Sequence, residues 1–122
     1  MLSLLILFLI KHFLCDFPLQ TRYQYSNKGI LCHPGGLLHA FITIVGSAIV
    51  LLLWGLTNLP IIGILLLFEF IVHYLTDWAK VNINDYYGWK PNTSDYFWWL
   101  LGLDQLIHML TYVVMIYMVT ND

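Results

Sequence analysis

Residues 35–68 read GGLLHAFITIVGSAIVLLLWGLTNLPIIGILLLF, 34 residues without an Asp, Glu, Lys or Arg. A single α-helix of that length would run about 51 Å at 1.5 Å per residue, well past the roughly 30 Å of a bilayer's hydrocarbon core. The break lies at Thr57-Asn58-Leu59-Pro60, because Asn favours turns and Pro suits the first turn of a helix. The stretch therefore predicts a helical hairpin, with one arm near 35–56 and the other near 60–80. Runs such as Leu51-Leu52-Leu53-Trp54 lack the alternation of a membrane β-barrel strand.

Outward from the hairpin, two further apolar segments cover about 1–16 and 96–120. The sequence thus predicts an all-α fold, a four-helix transmembrane bundle forming a single integral membrane domain over 1–122. Composition agrees: 60% of residues are hydrophobic and 10% charged, against about 25% charged in soluble domains. With 5 Lys+Arg, 7 Asp+Glu and a net charge of -2, the chain is neither disordered nor a basic nucleic-acid module. Two cysteines exclude a disulfide-rich secreted scaffold. Leu2–Ile10 has no preceding Lys or Arg and no small-residue cleavage pattern, so it is expected to be a retained helix rather than a signal peptide.

All five basic residues (Lys11, Arg22, Lys28, Lys80 and Lys90) fall in or beside two segments read as loops, 17–34 and 81–95. Four spans put both loops on one side, which the positive-inside rule makes cytoplasmic, with both termini on the non-cytoplasmic side. Trp78, Tyr86, Tyr87, Trp89, Tyr96, Trp98 and Trp99 crowd the second loop as an interfacial belt would. The expected location is integral to a membrane, with the main loops in the cytoplasm. Cys15 and Cys32, without C-x-x-C spacing, are expected to be free thiols there.

The spans are not uniformly apolar. They carry His12 and Asp16; His39; Glu69, His73, Asp77 and Lys80; and Asp104, Gln105 and His108. At 100° per residue, His73, Asp77 and Lys80 lie about 40°, 80° and 20° from Glu69, on one helix face. Asp16, His39, His73, Asp77, Asp104 and His108 all fall about 18–25 Å from the outer end of their spans, one layer in the cytoplasmic third. Intramembrane ionisable groups normally face a partner or a wet cavity. Imidazole with carboxylate is a ligand set for Zn, Mn or Fe as divalent metal. His39, His73, Asp77 and His108 are the expected ligands, with His12, Asp16 and Asp104 as further or second-metal ligands. Glu69, Asp104 and Lys80 are the candidates for general acid and base. His33, six residues before His39 and next to Pro34-Gly35-Gly36, reads as a helix N-terminus rather than a ligand.

The pattern His12-x-x-x-Asp16-Phe17-x-Leu19-Gln20, then Lys28, His39, His73-x-x-x-Asp77-x-x-Lys80 and Asp104-Gln105-x-x-His108, resembles a domain-of-unknown-function family of small multi-span membrane proteins from bacteria and phages. The resemblance covers nearly the whole chain and implies an integral membrane protein without an assigned reaction. A looser similarity is to membrane-bound metal-dependent hydrolases, whose His-Arg-Gly element is absent here.

Two functional expectations follow. One is a metal-dependent, hydrolase-like enzyme acting on a lipid headgroup or small phosphorylated substrate, for which Gln20, Arg22 and Lys28 offer phosphate contacts. No redox-cofactor motif, G-x-S-x-G or H-E-x-x-H is present. The other is a non-enzymatic membrane effector, or an oligomeric unit passing protons or metal ions. The apolar outer ends Leu2–Leu7, Leu51–Leu56, Ile61–Leu67 and Met109–Val119 oppose a monomeric pore but allow a homo-oligomer. The expected partners are the lipid bilayer and such a substrate, not nucleic acid.

Overall fold

The computed structural model describes residues 1–121; Asp122, the last residue of the expected domain, lies outside the described residues. Five helices follow in order: α1 (Leu2–Asp16), α2 (Arg22–Tyr25), α3 (Pro34–Trp54), α4 (Leu59–Tyr87) and α5 (Asp95–Thr120). Among the described residues there is no strand. The hairpin between α3 and α4 forms where the sequence places it. Gly55 ends α3 in the left-handed region (φ 95), and Asn58 caps α4, its side-chain oxygen accepting from the Ile61 N–H with Pro60 in the first turn. His33 likewise caps α3, its Nδ1 accepting from the Gly35 N–H at 3.0 Å.

One boundary differs from expectation. The loop expected from residue 81 is helical as far as Tyr87, where Gly88 (φ 66) stops α4. The apolar run ends near Lys80, yet the helix is held beyond it. Asn82 donates from its side-chain amide to the carbonyls of Trp78 and, across the fold, Gly29.

Helices α3, α4 and α5 are long and apolar enough to cross a membrane. At 15 residues, α1 spans about 22 Å, less than a hydrocarbon core. Contacts run α1 to α3, α3 to α4, α4 to α5 and α5 back to α1, so these four helices close a ring in up-down order. Short α2 packs on α3. The outward faces are apolar: Phe41 is 55%, Leu53 73% and Leu67 61% exposed.

The interior has two halves. Near the Asn58 turn, Leu4, Phe8, Val50, Leu51, Ile62, Leu65, Tyr112, Met115 and Ile116 pack into an apolar core. Toward the 17–33 and 88–94 connections the same helix faces turn polar. The buried stripe of α4 runs Ile62, Leu65, Glu69, His73, Asp77, and that of α5 ends in His108 and Asp104. A small-residue stripe on α3 (Gly36, Ala40, Thr43, Ser47) is buried as well, letting the helices approach closely.

Candidate metal centre

The polar half is built from one or two side chains per helix. Asp16 comes from the last turn of α1, His39 from the second turn of α3, His73 and Asp77 from α4, and Asp104 and His108 from α5. All six are buried. His39 Nε2 lies 3.0 Å from His73 Nε2, 3.3 Å from Asp16 Oδ1 and 3.3 Å from Asp77 Oδ2. His73 Nε2 lies 3.4 Å from Asp77 Oδ2 and 3.7 Å from Asp16 Oδ1. Two groups, Asp16/His39/His73 and His73/Asp77/His108, each bring their donor atoms within 4.8 Å of one another.

The surroundings aim these atoms inward. Gln24, buried in α2, places its side-chain oxygen 3.3 Å from His39 Nδ1, where it can accept an Nδ1–H in the tautomer that offers Nε2 as a donor atom. Asp104 Oδ2 accepts from Lys80 Nζ at 2.9 Å and from the Gln105 amide at 3.0 Å, while its Oδ1 has no hydrogen-bond partner. Asp16 Oδ1 and Asp77 Oδ2 also receive no aligned hydrogen bond. Lys28 Nζ sits 2.9 Å from Asp77 Oδ2 as an ion pair, and Lys80 Nζ 3.5 Å from Asp77 Oδ1. His73 Nδ1 finds no partner behind it.

The remaining expected site residues border this cluster and belong to neither donor group. His12 Nδ1 is 3.0 Å from the Tyr112 hydroxyl and Nε2 is 2.8 Å from Gln105 Oε1, so both ring nitrogens are engaged; Asp16 Oδ2 is 3.4 Å from Nε2. Glu69 lies one turn nearer the apolar core and pairs with Lys11 at 2.6 Å, and Lys11 also donates to the Tyr112 hydroxyl at 3.1 Å. Lys80 is held by Asp104 and Asp77.

The sequence reading missed three participants, Lys11, Gln24 and Tyr112, and gave Lys28 a phosphate contact rather than its pairing with Asp77. Lys11 and Lys28, grouped there with the loop cations, are only 5% and 7% exposed. Lys28 therefore meets an internal carboxylate rather than solvent, and Gln20 spends its amide on the Asp16 carbonyl at 2.6 Å. A signal existed for Lys11 and Tyr112, since each continues the buried stripe of its helix, Leu4-Phe8-Lys11-Cys15 and His108-Tyr112-Met115. Gln24 and Lys28 lie between the long helices, where no periodicity reports burial. Cys15 is buried and Cys32 exposed, both as free thiols.

Neither curated proteins nor solved structures include a match to this chain. One family profile does match, over residues 4–122. The chain belongs to that family, DUF3307, described as protein of unknown function.

Proposed function

We propose that the protein is a four-span integral membrane protein that binds a divalent metal ion and acts as a metal-dependent, hydrolase-like enzyme. In this reading Asp16 Oδ1, His39 Nε2, His73 Nε2 and Asp77 Oδ2 hold the ion in the cytoplasmic third of a bacterial inner membrane. The observation that carries it is the set of donor separations. Metal bonds of about 2.0–2.1 Å in a tetrahedron imply ligand atoms about 3.3–3.4 Å apart. Five of the six separations here are 3.0, 3.3, 3.3, 3.4 and 3.7 Å. Buried carboxylate oxygens without aligned donors would be costly in the absence of a cation.

Such an ion would supply Lewis-acid polarisation of a phosphoryl or acyl oxygen and a more acidic bound water. This chain's own groups have narrower tasks. Gln24 fixes the His39 tautomer, and Lys28 and Lys80 offset carboxylate charge. Asp104, its Oδ2 held by Lys80 and Gln105, presents Oδ1 beside His108. Glu69, tied to Lys11, and His12, tied to Tyr112 and Gln105, serve as supports. The substrate classes in view are a lipid headgroup and a small phosphorylated molecule.

A second reading, a metal-free polar network in a non-enzymatic membrane effector or an oligomeric ion-permeation unit, is favoured by one observation. Lys11, Lys28 and Lys80 pair with Glu69, Asp77 and Asp104, so three of the four interior carboxylates already face a cation. Elemental analysis of tag-free, detergent-purified protein separates the two. The metalloprotein retains stoichiometric Zn, Mn or Fe that His39→Ala and His73→Ala abolish; absence of metal from wild type after reconstitution with each ion sinks it.

A further inference from the structure

Resting on that metal-binding reading, we propose that Asp77 bridges two divalent cations rather than serving one. Its Oδ2 lies 3.3 Å from His39 Nε2 and 3.4 Å from His73 Nε2, while its Oδ1 lies 3.5 Å from His108 Nε2. His108 Nε2 is in turn 3.4 Å from Asp104 Oδ1. These separations again suit bonds of about 2.0–2.1 Å to one shared ion. They are long for direct charge-assisted hydrogen bonds, which run about 2.7–2.9 Å.

The independent observation is the state of the donor atoms. His108 and Asp104 are 1% and 2% exposed, and His108 Nε2 and Asp104 Oδ1 are both without a hydrogen-bond partner. Asp104 is not short of donors, since Lys80 and Gln105 both reach its other oxygen. They hold the carboxylate so that Oδ1 is left for something between it and His108. His73 and His108 stack at a 4.0 Å ring separation, which sets the two groups side by side.

The two positions differ in what remains for solvent. The first has four protein donors and is closed. The second has Asp77 Oδ1, His108 Nε2 and Asp104 Oδ1, three donors, the number that leaves a coordination position open in catalytic sites. Lys80 and Asp104 also line a groove of about 240 Å³ between α4 and α5, walled by Leu75, Leu100 and Leu103. The open position of the second ion belongs on that side.

Cobalt(II) reconstitution of the intact, tag-free protein tests this by two readouts, metal content and electron paramagnetic resonance. Wild type should bind two Co²⁺ per chain and show a spin-coupled signal through the shared carboxylate. His108→Gln and, separately, Asp104→Asn should each bind one and show an uncoupled signal. A single Co²⁺ in wild type, unchanged by either substitution, overturns the second ion and leaves the first site standing. No bound Co²⁺, Zn²⁺, Mn²⁺ or Fe²⁺ in wild type overturns the first site and this inference together. The wild-type stoichiometry and coupling decide the matter even if neither variant folds.

Discussion

Gln24 holds His39 from behind, and that contact makes the imidazole a defined donor rather than a rotating polar group. Gln24→Leu removes the acceptor for Nδ1–H. Zn²⁺ affinity, measured by competition with a chromophoric chelator, should fall by about 10–100-fold, the usual cost of losing an outer partner of a ligand. Gln24→Glu, which keeps an acceptor, should restore most of it. Lys28 gives an opposite expectation. Its ammonium lies 2.9 Å from the oxygen assigned to the first ion, so Lys28→Met should tighten Zn²⁺ binding by about tenfold, or ~1.4 kcal/mol. In a metal-free network the same change would strand a buried carboxylate, at about 3–5 kcal/mol. Thermal unfolding with and without Zn²⁺ tells these apart. Neither residue was legible as a partner of the buried His and Asp side chains, because both lie in a connecting segment whose burial depends on α2 and its neighbours folding onto α3. The helix-borne residues were legible because His73-x-x-x-Asp77 and Asp104-x-x-x-His108 have only one way to share a face.

At the level of the elements, the α3–α4 turn could be read from Asn58 and Pro60, and the cap geometry follows from those two residues. The extension of α4 to Tyr87 could not. Val81-Asn82-Ile83-Asn84 has no apolar continuity, and what holds it is a hydrogen bond to Gly29, more than fifty residues earlier. The α1–α3 contact is a close approach at which to test the assembly. A Cβ on Gly46 would sit 2.8 Å from Lys11 Cγ and 3.1 Å from Cys15 Sγ. Lys11 cannot move aside freely, because its ammonium is held by Glu69 and Tyr112. Gly46→Ala should therefore destabilise by about 1–3 kcal/mol through overpacking, despite the helix propensity it gains. Gly63→Ala on α4 has no atom within 4 Å and should instead stabilise by up to about 1 kcal/mol. Equal responses in detergent thermal unfolding would remove the close-approach explanation.

For the whole molecule, membrane sidedness rests on fewer charges than the sequence alone suggests. Lys11, Lys28 and Lys80 are committed to internal carboxylates, leaving Arg22 and Lys90 to speak for the loops. Exposed Cys32 provides a direct report, since Cys15 is buried. A membrane-impermeant maleimide should label Cys32 in inside-out vesicles and spare it in intact cells. Labelling from outside only would invert the proposed topology. Aromatic rings mark the same end of the bundle: Tyr87 stacks on Trp89 at 4.7 Å and Trp89 on Tyr96 at 5.0 Å, all near the α4–α5 connection.

The division of the core into a dry half and a polar half also fixes how the site would meet an electric field. In a bilayer, most of a transmembrane voltage would fall across the stretch packed with Leu4, Phe8, Leu51, Leu65 and Met115. One elementary charge crossing the full drop gains or loses about 2.3 kcal/mol per 100 mV. An ion reaching Asp77 from the loop side would traverse little of that drop. Its occupancy would follow the ion concentration of one compartment and be nearly indifferent to whether the membrane is energised.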